Sequence, residues 1–186
     1  MANFLKAGIA LALTTTAAIA DGHAQNWDMP MAYAATNYHS EQGVIFADRV
    51  REYTDGAINI TVHPGGSLFG GGDIKRAVQT GQVPIGERFM SAHANEAPLL
   101  GWDNLPFIAT SYADNAKLWD AARDSVNAQL ADLNLVALYT CPWPGQGFYF
   151  NKEVASSADT QGIKFRSYNS ATATFAQELG MIPVQI

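Results

Sequence analysis

Apolar positions in this chain come in short blocks punctuated by glycine, proline, asparagine and aspartate, and the period within a block changes from one block to the next. The run Trp27 to Ala35 is nearly continuous and predicts a first strand. Glu41 to Tyr53 sets Val44, Ile45, Ala47 and Val50 on one side of a predicted helix that Asp55-Gly56 closes. Ile58, Ile60 and Val62 then alternate as a strand does. Asp73 stands where it would cap a short helix carrying Ile74, Ala77 and Val78, with Gly81 as its stop, and Val83 to Gly86 predicts the next buried strand. Ser111 opens a long helix through Leu118, Ala122, Val126 and Leu130, and Leu135 to Tyr139 is again strand-like. Strand and helix taking turns in this way is the signature of an α/β fold.

The alternation breaks at Pro142-Trp143-Pro144-Gly145, because prolines and a glycine do not sit inside a helix or a central strand. This segment is expected to cross between two lobes. Beyond it, Gly147 to Phe150 and Ile163 to Arg166 predict strands, and Asn169 caps a helix bearing Ala173, Phe175, Ala176 and Leu179, stopped by Gly180. Ile182 to Ile186 begins another strand. The expected organisation is a first α/β lobe over 25–142, then the crossing segment and a partial second α/β lobe over 143–186. So small a second lobe does not close over an apolar face, so a longer functional protein is expected.

Residues 1–24 read as a secretion signal rather than as fold: Lys6, an uncharged apolar run from Ala7 to Ala20, then small residues. The run is shorter than the roughly 18–20 residues that cross a bilayer. Cleavage after Ala20 or after Ala24 fits the small-x-small rule, and the mature protein is expected in the periplasm. The net charge of −6, with no run of Lys or Arg, argues against nucleic acid or anionic membrane as a partner. Cys141 is the only cysteine, so an internal disulfide is excluded, and its expected role is that of a small buried hydrophobe.

Arg166 carries the most pointed chemistry. An arginine that closes a strand just before a helix cap directs its guanidinium to the cleft beyond the strand's carboxyl end, where open α/β sheets bind ligands. Its planar fork makes two parallel charge-assisted bonds to a carboxylate, which lysine does less well. Rival constellations are weaker. The stretch Gly65 to Gly72 lacks the Gly-Lys-Ser/Thr of a phosphate loop and runs into Asp73. His39-Ser40-Glu41 has hydrolase letters at a spacing that does not converge. The four histidines show no metal-ligand spacing, and no cofactor is implied. His93 to Glu96 is expected to be a solvated loop, and Trp102 and Trp119 to be core.

The segment Gly162-Ile163-Lys164-Phe165-Arg166, followed by Asn169 and by Gly180-Met181-Ile182-Pro183-Val184, resembles the solute-binding proteins of TRAP transporters, the DctP family. Further matches follow in family order: Phe46-Ala47, Thr54-Asp55-Gly56, His63-Pro64-Gly65-Gly66-Ser67-Leu68, Gln79-Thr80-Gly81, Leu105-Pro106-Phe107 and Phe150-Asn151-Lys152. The resemblance implies a periplasmic-binding-protein-like fold whose two lobes close on a small organic carboxylate and deliver it to a membrane permease. It implies that Arg166 grips the carboxylate, with Asn169 as a nearby polar contact. Many relatives hold a second arginine about where this chain has Gln146, with Trp143 close by. Glu87 and Arg88 fall at the pocket rim, and Tyr33 and Asn37 on the first pocket loop. One secure arginine beside Gln146 and Glu87 favours a hydroxy or sugar acid with one carboxylate over a dicarboxylate. The alternative is an exported α/β hydrolase-like enzyme acting on a small organic acid.

Overall fold

Residues 24–185 are described by the computed structural model, so the signal segment lies outside the described residues apart from Ala24. Two parallel βαβ units organise them. β1 (Gln25–Pro30) leads through a loop into α1 (Tyr38–Tyr53) and returns as β2 (Ile58–His63), in register from Gln25 opposite Ile58 to Pro30 opposite His63. The second unit runs from β3 (Lys164–Ser167) through α4 (Ser170–Glu178) to β4 (Ile182–Gln185), with Lys164 opposite Ile182. Between them lie the short α2 (Ile74–Gln79), two 3-10 turns at Met90–His93 and Pro98–Gly101, and the long α3 (Tyr112–Asp132).

Local signals set most helix ends. Ser111 accepts a bond from the Asp114 amide, and Asn169 forms a reciprocal capping box with Thr172. Gly56, Gly81 and Gly180 take φ of 79°, 71° and 69°, the left-handed turn at which a helix stops. Asp73 precedes α2 but makes no side-chain cap bond, so its expected role is corrected. α1 begins earlier than Glu41, because Asn37 caps it by accepting from the His39 amide at 2.9 Å. Its buried stripe is His39, Gly43 and Ala47, four residues apart, and not the Val44–Ile45 side, which is exposed at 48% and 44%.

Three predicted strands are not strands. β1 ends at Pro30, and beyond it Met31 makes a single bridge to Glu87. Val83 and Ile85 are buried, Ile85 against Met29 and Met31, yet among the described residues the only backbone bond across is from the Glu87 amide to the Pro30 carbonyl at 3.0 Å. Pro30 and Pro84 both lack the N–H that a ladder needs to continue. Leu135 and Ala137 pack on the cluster of Ala97, Leu100, Val126 and Leu130 while Val136 and Leu138 stand 80% and 60% exposed. The alternation is real, but no ladder partner lies beside the segment among the described residues. Phe148 and Phe150 likewise pack on Phe165 of β3, at ring distances of 5.3 and 5.9 Å, without a ladder. Trp102 and Trp119 pack against the core cluster, 5.2 Å apart, and Trp102 also lines a cavity.

Gly86 is the tight point of this packing. A Cβ there would stand 2.8 Å from Ile74 Cγ2 and 3.2 Å from Val78 Cγ2. Both neighbours are stiff β-branched side chains, and Ile74 is 1% exposed. Gly86→Ala is therefore expected to cost about 1–3 kcal/mol of stability, read as a lower denaturant midpoint at unchanged slope. An unchanged midpoint would show that the neighbours yield freely.

Candidate functional site

The loop after β1 builds one wall of the site. Gly65 and Gly66, at φ of 68° and 69°, donate to the carbonyls of Tyr33 and Met31 at 2.6 and 2.9 Å. The Ser40 hydroxyl donates to the Tyr33 carbonyl at 2.8 Å. With its backbone held, Tyr33 meets Trp143 edge-on at 5.1 Å. The Tyr38 hydroxyl donates to the Pro142 carbonyl at 3.1 Å, which lays the Pro142–Gly145 segment over the same loop. Asn37 stands on this loop, but its side-chain oxygen is the α1 cap.

His39 enters here, and the sequence reading missed it. It packs within 4.2 Å of both Tyr38 and Trp143 and is 2% exposed. Its Nδ1 lies 3.8 Å from Glu87 Oε1, too far for a hydrogen bond. Among the described residues neither ring nitrogen of His39 nor Oε2 of Glu87 has a hydrogen-bond partner. Burial pushes the Glu87 carboxyl up to about 7 against the pull of Arg88, and burial lowers His39. Below neutral pH Glu87 thus holds its proton, and at any pH burial disfavours the charged form of both groups. The signal that points to His39 is its place on the Gly43–Ala47 stripe, which only the true helix start at Tyr38 makes visible.

Arg88 turns away from Glu87. Its Nε donates to His93 Nε2 at 3.3 Å, and Gly71 leaves room for its guanidinium, where a Cβ would stand 3.4 Å from Nη1. His93 is 7% exposed, which corrects its reading as a solvated loop residue. It faces Glu96 at 3.5 Å, and Glu96 in turn pairs with Lys75. Burial, then Arg88 and Lys75, hold His93 below its ordinary range, against the opposing pull of Glu96. The half-buried Cys141 thiol is raised by burial and by Glu87.

Arg166 stands on β3, exposed, with its guanidinium carbon 5.4 Å from the centre of the Tyr168 ring. Tyr168 meets Phe89 edge-on at 5.7 Å. Asn169 donates to Ser91 Oγ and to Asn104 Oδ1, each at 3.1 Å, so the start of α4 is tied to the segment that follows Arg88. The hydroxyl of Tyr33 registers the convergence: burial and Glu87 raise it, while Arg88 and Arg166 pull it down. Among the described residues neither arginine has a carboxylate within salt-bridge distance. Two cations without carboxylate partners among the described residues, beside an acid whose ionisation burial disfavours, make a region that accepts an anion.

A cavity of about 410 Å³ opens beside this region, lined by His39, Glu87, Arg88, Ser91 and Trp143 together with the extended segment 134–143. Tyr33, Asn37, Gln146, Arg166 and Asn169 lie outside its lining, although Asn169 touches it through Ser91. Gln146 is exposed and donates to the carbonyl of Gly147 at 2.7 Å.

Residues 31–186 match the bacterial extracellular solute-binding protein family 7, DctP. The chain belongs to this family. It is 83% identical to a TRAP solute-binding protein specific for pyroglutamate from an unidentified microbe of a marine metagenome, whose crystal structure holds co-purified pyroglutamate. That alignment has a TM-score of 0.86 and covers 88% of this chain and 54% of the other. DctP6 of Bordetella pertussis, an extracytoplasmic solute receptor binding pyroglutamic acid, is 38% identical with a TM-score of 0.84, over 87% of this chain and 54% of its own. A monocarboxylate 2-oxoacid-binding periplasmic protein of Nostoc sp. is 30% identical over 125 residues, 64% of this chain and 34% of the relative. The chain thus spans about half the length of the solved DctP-family structures it matches and about a third of the Nostoc protein. The fold is the α/β fold of these two-lobed binding proteins, and the relatives are receptors rather than hydrolases.

Proposed function

We propose that this protein is the extracytoplasmic solute receptor of a TRAP transporter, and that it captures a small cyclic monocarboxylate, pyroglutamate above all, and delivers it to the membrane permease. Two arginines without carboxylate partners among the described residues, converging on Tyr33 beside a cavity lined by the buried acid Glu87, carry the reading. One carboxylate satisfies that charge, and a second would meet Glu87. The 83% identity to a pyroglutamate-specific protein supports the same choice. A lactam ring here takes the place of the hydroxy or sugar acid expected from sequence, while the single carboxylate is retained. In this reading Arg166 and Asn169 belong to one lobe, Tyr33, Glu87 and Arg88 to the other, and residues 143–146 to the crossing. Closure then follows from one anion touching both sides, since a ligand shifts an equilibrium only by binding the closed state better. Export by a cleaved segment at 1–24 belongs to the same proposal.

Thermal unfolding of the full-length protein with added acids tests it. Pyroglutamate at a hundredfold excess over its Kd is expected to stabilise by about 2.7 kcal/mol, whereas succinate at the same concentration leaves the midpoint unchanged. No shift with pyroglutamate would reject the proposal.

A further inference from the structure

His39 is the polar group that the packing of the fold explains least. A buried imidazole with both nitrogens unpartnered is rare in native proteins, and here it stands beside a buried carboxyl oxygen in the same state. The three atoms belong to residues that line one cavity, and the 3.8 Å between Nδ1 and Oε1 leaves the two groups adjacent but unbonded. The aromatic neighbours offer no hydrogen bond to His39. Tyr38, Trp143 and Tyr33 offer ring contacts to His39 at 4.2, 4.2 and 5.5 Å, and the Tyr38 hydroxyl is already engaged by Pro142. The arrangement is a set of donors and acceptors in an aromatic frame, held in place by the α1 cap on one side and by the Glu87 amide bond to Pro30 on the other.

Resting on the receptor reading above, we infer that His39 and Glu87 form a second recognition pole of the pocket, which takes the adjacent N–H and C=O of a lactam while the arginine side takes the carboxylate. A five-membered lactam is locked in the cis amide form, so its N–H and C=O point the same way. A neutral carboxyl presents the complement, one O–H donor and one acceptor oxygen, and a neutral imidazole adds one donor and one acceptor nitrogen. Burial disfavours the charged form of both groups, so the pair is suited to a neutral amide rather than to a second ion. The same pair discriminates. A ring without the amide leaves three buried polar atoms unmade, and a second carboxylate meets an acid that burial already keeps from ionising.

Calorimetry on the full-length protein tests this with three ligands: pyroglutamate, cyclopentanecarboxylate, which keeps ring and carboxylate but has no amide, and N-methylpyroglutamate, which has no N–H. Wild-type protein is expected to prefer pyroglutamate over each analogue by about ten- to a hundredfold. Glu87→Leu and His39→Leu are expected to lose most of that preference while still binding cyclopentanecarboxylate. Glu87→Gln, which keeps one donor and one acceptor, is expected to retain it. Equal affinity of the wild-type protein for the three ligands would overturn the assignment without any variant, and so would a Glu87→Leu protein that still discriminates. Absence of pyroglutamate binding in the wild-type protein would overturn the receptor reading together with this one, whereas binding without discrimination removes only the His39–Glu87 pole.

Discussion

Arg166→Ala is expected to weaken binding of the carboxylate ligand by a hundredfold or more. Removing one partner of a desolvated, hydrogen-bonded ion pair costs on the order of 3–5 kcal/mol, and each 1.4 kcal/mol is about tenfold in Kd. The guanidinium is placed for such a loss. It has no carboxylate partner among the described residues, it rests against the Tyr168 ring, and it acts on the Tyr33 hydroxyl from across the site. Folding is expected to be nearly indifferent to the change, within about 0.5 kcal/mol, because the side chain is exposed and makes no buried bond. Arg166→Lys separates charge from shape. It keeps the cation but loses the fork, and is expected to recover only part of the affinity. Calorimetric titration and thermal melts of the same preparations check both halves, and unchanged affinity in Arg166→Ala would remove the residue from the site.

Glu87 is expected to make the ligand-free protein less stable as the pH rises through the neutral range. Its folded value of about 7 lies above the ordinary 4.5, so between those values the folded state binds more protons than the unfolded chain. The stabilising proton is fully present below about 4.5 and its contribution is lost as the pH rises through 7. The buried histidines act oppositely: His39 and His93 are both lowered, so their contribution is lost on acidification below the ordinary value of 6.5. The groups around Glu87 are Arg88, which pulls it down, His39 at 3.8 Å, and the Tyr33, Tyr38, Tyr139 and Cys141 groups that its charge raises. The difference between wild type and Glu87→Gln isolates the carboxyl. From pH 5 to pH 8 the variant is expected to gain about 2–3 kcal/mol relative to wild type, measured by chemical denaturation at each pH. A difference independent of pH would mean that Glu87 titrates as a solvated acid.

Much of this could be read along the chain because caps and stops are local. The bonds from Asn169 and Ser111 to their first-turn amides, and the left-handed glycines at 56, 81 and 180, need only near neighbours. The same locality explains why Arg166 and Asn169 could be proposed from the sequence, since they stand at the junction of β3 and α4. Tyr33, Glu87, Arg88 and Trp143 instead lie in irregular segments that only the packing brings near one another. Asn37 and Gln146 lie near them with their side chains turned to a helix cap and to a neighbouring carbonyl.

Sequence by itself determined the α/β order of elements and the family, because each rests on periodicity, capping or a motif of adjacent residues. Tertiary structure alone decided which apolar runs became strands. A ladder is a property of two segments, and at Val83–Gly86 it was stopped by prolines on both sides, Pro30 and Pro84. It also decided the juxtaposition of His39 and Glu87, residues far apart in the chain, whose burial disfavours the charged form of each. Burial is the sum of everything packed around a group, and no stretch of neighbours along the chain contains that sum.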